Sequence, residues 1–203
     1  MGHAIATFLT FGKVYRIKLN SDASGYTESG HNWWVGRVIT AMVGYPFATA
    51  FSGLLLYLCV HETYKAAVWI LLIMLIMAVV LWMRDLTSLI WTSSIIVLLI
   101  ISLKFNINIE WVIGIGTRIV LLDSIRSSIN ILKISFRDPQ NAGDATVLSA
   151  LTFVPPQVWG IIFAASSIVI ATYTVLTLSD NWTGIDYFAK VVNAYYLLTD
   201  LIL

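Results

Sequence analysis

Charge is scarce in this chain. Asp, Glu, Lys and Arg together make up 11% of its 203 residues, and the net charge is only +1. A soluble globular domain uses about 25% charged residues, so composition excludes an ordinary water-exposed surface. No Lys/Arg run is dense enough to form a nucleic-acid footprint, and nucleic acid is excluded as a partner. Cysteine is almost absent: Cys59 stands alone in an apolar run, which excludes an internal disulfide and a thiolate metal cluster. It reads as packing filler. Also missing are a basic cluster, a capping residue or a signal sequence ahead of the first apolar stretch, MGHAIATFLTF.

What the chain has in quantity is apolar side chains, 59% of the total, with a mean hydropathy of +0.85. These values imply an integral membrane protein, with the lipid bilayer as its first partner. A length of 203 residues suits one polytopic domain without a sizeable soluble module. Residues 1–203 are therefore read as a single membrane-embedded domain.

A spanning helix needs about 20 mostly apolar residues. Five stretches qualify: Gly36–Val60, Tyr64–Met83, Leu86–Leu103, Ile109–Leu132 and Val154–Leu178. Ala4–Phe11 reads as the tail of another span, and Val191–Leu203 as the start of a last one. Both ends look cut, as in a fragment of a longer protein. The fold class is thus all-α and polytopic, a bundle of about six spans. After the first helix, KVYRIKL alternates with period two, placing Val14, Arg16 and Lys18 on one side and Tyr15, Ile17 and Leu19 on the other. That pattern predicts a short β-strand or hairpin, with Gly12 and the SDASG cluster as turns. KISFRDPQNAGDAT, from Lys133, reads as a loop.

Threading the spans alternately puts Lys13, Arg16, Lys18, Arg37, Arg84, Lys133 and Arg137 on one side, with Arg126 close to it, and only Lys65 and Lys104 on the other. The positive side is read as cytoplasmic. The strand and the RDPQNAGDA loop share that face.

GHAIATFLTFGKVYRIKLNSDASGYT resembles the site-2-protease family of intramembrane zinc metallopeptidases, in which an H-E-x-x-H helix leads into a glycine turn and a short strand. In that family Gly-His-Ala commonly closes the motif, so the resemblance makes His3 its second histidine. The first histidine and the general-base glutamate are then expected just upstream of Met1, and no catalytic residue lies in the chain itself. Spacing explains the motif: positions i and i+4 bring two imidazoles to one zinc on one helical face. VGRVITAMVGYPFATAFSGLLLYL resembles the family's second span through Gly44, Tyr45 and Gly53, read as close-packing residues, with Pro46 expected to kink the helix. AGDATVLSALTFVPPQVWG matches the segment where bacterial relatives carry Ser-Asp-Ala, with Gly143 in place of the serine. The resemblance implies that Asp144 is the third zinc ligand. Left to the residues alone, Asp144 reads equally as a cap on the following helix.

The function implied by this resemblance is zinc-dependent hydrolysis of a transmembrane protein substrate at the cytoplasmic side of a bacterial cell membrane. The chain as it stands is expected to be inactive for want of the upstream His-Glu pair. Val14, Arg16 and Ile17 on the strand are the candidate substrate-binding residues, offering an edge for backbone pairing. A non-catalytic scaffold or a transporter is the competing reading, prompted by Arg118, Asp123 and Arg126 within one apolar stretch. Arg118 costs about 2.5–3.5 kcal/mol if it faces lipid, so it is expected to face the bundle, with Asp123 and Arg126 pairing on one helical face. His61-Glu62-Thr63-Tyr64-Lys65 lacks the second imidazole of a zinc motif and reads as an interfacial loop, GIGTR as packing, and Asn181-Trp182-Thr183 as a chance sequon.

Overall fold

The computed structural model describes residues 2–19, 25–105 and 109–179. In chain order the elements are α1 (Gly2–Leu9), β1 (Lys13–Leu19), β2 (Gly25–Gly30), α2 (Trp34–Val60), α3 (Tyr64–Leu81), α4 (Leu86–Phe105), α5 (Ile109–Arg137), α6 (Asp144–Thr152) and α7 (Pro156–Ser179). A single 3₁₀ turn, Pro139–Asn141, precedes α6. The expected last span at Val191–Leu203, the sequon and residues 21–24 of the predicted turn lie outside the described residues.

Among the described residues, α2, α3, α4 and α7 are long and apolar enough to cross a bilayer. The apolar run Ile109–Leu132, expected as a further span, lies within α5. The helix's length of 29 residues suffices, but Glu110, Arg118, Asp123, Arg126, Lys133 and Arg137 give it more charge than an unassisted apolar span carries. It nevertheless packs between α2 and α7 in the bundle. The facing surfaces explain how. Ser124, Ser128 and Ser135 on α5 meet Gly160, Ala164, Ser167 and Ala171 on α7, all small enough to let the helices close up. The serine hydroxyls of α5 donate back to carbonyls one turn earlier, Ser124 to Leu121 at 2.7 Å and Ser135 to Ile131 at 2.7 Å, so their burial leaves no donor unmet.

α3 and α4 form an antiparallel pair whose outer faces, including Trp69, Ile73, Val80, Ile90 and Val97, are exposed apolar surface suited to lipid. The turn between them is fixed by Asp85, whose carboxylate accepts hydrogen bonds from the Ser88 backbone N–H (2.9 Å) and hydroxyl (2.7 Å). This is the N-cap geometry that starts α4, and it holds the Asp85 carboxyl below the usual carboxylate range.

The predicted strand pairs with β2 as an antiparallel hairpin, with Ile17 opposite Thr27 and Leu19 opposite Gly25. The other edge of β1 is occupied. Ile17 N–H donates to the Trp82 carbonyl at 3.1 Å, and Leu19 N–H to the Ser88 hydroxyl at 2.7 Å. Ile17 is buried in a cluster with Ala4, Ala78 and Met83, which seats the hairpin on the α3–α4 turn and against α1.

A Cβ at Gly160 would lie 2.7 Å from the Ser135 hydroxyl and 3.1 Å from the Leu132 backbone. Gly160→Val should therefore separate α5 from α7 and destabilise the protein by about 1–3 kcal/mol, the usual cost of overpacking. Thermal unfolding in detergent should show the lowered midpoint, and an unchanged midpoint would contradict this packing.

Candidate metal centre

α1 is short, and its end is set locally. Thr10 Oγ donates to the Ala6 carbonyl at 2.7 Å, Phe11 adopts a left-handed conformation (φ 55°), and Gly12 N–H reaches back to the Thr7 carbonyl at 2.8 Å. This closure turns the chain from helix into hairpin and leaves His3 on the face of α1 that meets α2. Contact there is unusually close. A Cβ at Gly44 would overlap the His3 imidazole, and one at Gly2 would lie 3.1 Å from the Gly44 carbonyl. The ring occupies the space that any other residue at position 44 would fill.

His3 Nδ1 lies 2.9 Å from the Thr40 carbonyl. A carbonyl only accepts, so Nδ1 carries a proton, and Nε2 is the nitrogen that faces its other partner, donating when protonated and offering a lone pair to a metal when not. Nε2 points to Asp144 Oδ2, 3.1 Å away. The Tyr45 ring stands edge-on to His3 at 6.3 Å and packs on Phe163 at 5.0 Å, fixing the wall behind the imidazole.

Asp144 reaches this point from a different element. It is the first residue of α6, while Gly143, at φ 55°, holds the cap position and makes no side-chain cap. A Cβ there would meet only Ile131 at 3.7 Å, so it is backbone conformation and not space that favours glycine where the resembling family has serine. Thr146 braces the turn, donating to the Pro139 carbonyl at 2.8 Å and accepting from Ala142 N–H at 3.0 Å. Asp144 therefore does not cap the helix; its carboxylate is turned to His3. The sequence reading missed Thr40, whose part is played by its backbone, and Thr146, an ordinary loop threonine in sequence.

The two donors open into a cleft of about 680 Å³, lined also by Thr40, Tyr45, His31, Arg37 and β2. Their fit to zinc can be tested on geometry. A tetrahedral ion with bonds of about 2.1 Å sets its ligands about 3.4 Å apart, and the observed 3.1 Å is near that. The Nδ1–H tautomer of His3, anchored on a carbonyl, is the one zinc-binding histidines use. Among the described residues no group of three or more His, Cys, Asp or Glu gathers there. The residues present fit the metal in kind and spacing, as two ligands.

Of the candidate substrate residues, the structure brings none to this cleft. Ile17 is buried under the α3–α4 turn, Val14 packs beside it, and Arg16 forms a two-pronged pair with Glu28 at 2.7 and 2.8 Å. The period-two pattern identified the strand but not which of its sides was already taken. β2 lines the cleft instead.

The sequence profile of the Peptidase M50B-like family matches residues 1–174. The chain belongs to this family. No curated protein and no solved structure matches it. Membership in the Peptidase M50B-like family makes the chain a membrane metallopeptidase relative, and His3 and Asp144, from distant parts of the match, are the pair that the structure brings together at one point.

Gly44→Ala should push the His3 ring off its seat and break the Asp144 contact. In ¹⁵N spectra of the imidazole, the Nδ1 and Nε2 signals, both hydrogen-bonded in the unaltered protein, should shift toward those of a free imidazole. An unchanged His3 signal would show that the close approach at Gly44 does not hold the ring.

Proposed function

We propose that this protein is an intramembrane zinc endopeptidase whose metal ligands include His3 and Asp144. The observation that carries the reading is the 3.1 Å convergence of an imidazole on α1 and a carboxylate on the first residue of α6 in one cleft, within a chain of the Peptidase M50B-like family. A zinc ion supplies, when bound, an activated water and polarises the peptide carbonyl. The chain's own residues do the rest. The Thr40 carbonyl holds Nδ1–H and so aims Nε2 of His3, Gly44 and Tyr45 fix the ring plane, and the braced turn at Gly143–Thr146 presents the carboxylate.

A transmembrane substrate has to unwind before it is cut, because an intact helix keeps its carbonyls hydrogen-bonded. The unwound segment would pair along β2. Ile17 directs its N–H away from β2, so Ile17 and its opposite number Thr27 form a non-hydrogen-bonded pair, and the Thr27 N–H and carbonyl point away from β1 on the outer edge of β2. Thr27 also lines the cleft. β2, and not the Val14, Arg16 and Ile17 side of β1, is therefore the edge we assign to the substrate. In this reading α5 completes a fifth crossing with Arg118 half-buried against the bundle, and the site faces the cytoplasmic side, as the distribution of Lys and Arg implies, of a bacterial membrane.

Two ligands hold zinc weakly, and the general base of H-E-x-x-H is not among these 203 residues. The chain alone is expected to take up little zinc and to cleave nothing. Extending it with His-Glu immediately ahead of Met1 should give one zinc per chain by metal analysis and restore cleavage of a transmembrane peptide, both lost again in Asp144→Asn. Failure of the extended chain to bind zinc would refute the peptidase reading and leave a scaffold. Thr27→Pro in the extended protein should cut cleavage about tenfold or more by removing one edge N–H, at unchanged zinc content; full activity would show that β2 is not the docking edge.

A further inference from the structure

Arg37 is the cation that lines the cleft, in the first turn of α2. Neighbouring positive groups are engaged elsewhere: Arg16 with Glu28, and Lys13 over the Tyr15 ring at 5.8 Å. The carboxylate that lines the cleft, Asp144, faces His3. Among the described residues Arg37 has no carboxylate partner. Its position is also unfavourable to the helix. The positive end of the macrodipole opposes a cation in the first turn, and α2 has no acidic residue there to offset it. The Arg37 charge therefore does not serve the stability of its own helix, and its side chain is exposed and lines a cavity that β2 lines as well.

His31 does not add to this charge. Its imidazole nitrogen Nε2 sits 2.8 Å from the Thr10 hydroxyl and 3.2 Å from that of Thr40. Burial, and after it the nearby Arg37 charge, hold it below its ordinary pKa, in the neutral form. Among the described residues the cleft thus carries one Lys or Arg charge, beside the edge of β2 that faces away from β1.

We propose that Arg37 is a specificity-determining residue that selects an acidic side chain in the peptide lying along β2, on the flank of the scissile bond that leaves the membrane. The inference rests on the assignment of β2 as the docking edge. An extended peptide on that edge presents alternate side chains to the cleft, and a carboxylate among them meets a guanidinium built to grip it with two parallel hydrogen bonds. A lipid headgroup would offer an anion too, but without the strand that the β2 edge pairs with.

The test is equilibrium binding of short fluorescent peptides to the 203-residue protein in nanodiscs of neutral phosphatidylcholine, using peptides identical except for Glu, Gln or Lys at one position. At low ionic strength the Glu peptide should bind about fivefold more tightly than the Gln peptide. The difference should fade at about 1 M salt, where charges are screened beyond about 3 Å. Arg37→Gln should bind the Glu and Gln peptides equally, and Arg37→Glu should prefer Lys. Because position 37 is exposed, both variants are expected to fold, and a circular-dichroism melt checks this. Equal binding of Glu and Gln peptides by the unaltered protein, or a Glu preference that survives Arg37→Gln, would overturn the assignment of Arg37 alone. Binding of no peptide at all would remove the β2 docking edge and this inference with it. Loss of the Glu preference on adding phosphatidylglycerol would assign Arg37 to lipid headgroups and likewise overturn it.

Discussion

The structure depends on the absence of a side chain at Gly44. Two helices approach until one residue's ring fills the volume that the other helix leaves empty, so α1 cannot slide or rotate on α2 without carrying the His3 ring into backbone. Close packing of this kind in a membrane bundle owes little to the hydrophobic effect, since lipid tails are as apolar as leucine. It is held by shape and by polar links instead: His3 to the Thr40 carbonyl, Thr7 to the His3 carbonyl at 2.7 Å, and His31 between Thr10 and Thr40.

The carboxylate is positioned by different physics. Asp144 follows a residue in a glycine-favouring conformation and opens a nine-residue helix, so its direction is set by a turn whose shape comes from one threonine hydroxyl and one local backbone conformation. Ala142, Ala145 and Leu148 pack this segment against Ala41 of α2 and Trp159 and Phe163 of α7. The site thus brings together a rigid helix contact and a braced loop. When Nε2 carries a proton, the same two atoms form an ion pair, so proton and metal compete for one position.

Much of this could be read in the sequence, for identifiable reasons. Hydropathy alone located the bundle, and strict alternation over KVYRIKL located β1, because both periodicities are local. His3 and Asp144 could be named only through resemblance to a family, since no spacing links positions 141 residues apart. Three things stayed hidden. The backbone carbonyl of Thr40 has no sequence signature; the sidedness of β1 depends on the α3–α4 turn, some 65 residues away; and α5, counted as an ordinary span, proved to be the charged helix whose small serine-rich face packs against α7. Gly44 and Gly53 were legible as close-contact residues, and Gly53 does lie where a Cβ would meet the Thr174 hydroxyl at 2.7 Å. What each one makes room for was not legible.

A two-stranded ribbon normally leaves a template on each side, an invitation to runaway polymerisation. Here one side is spent on Trp82 and Ser88, so the ribbon can be extended in a single direction. Two copies meeting through that free side would make a four-stranded sheet with both outer rims already closed, and growth would stop at the pair. The same capped rim that steadies the hairpin thus limits self-association in a crowded membrane.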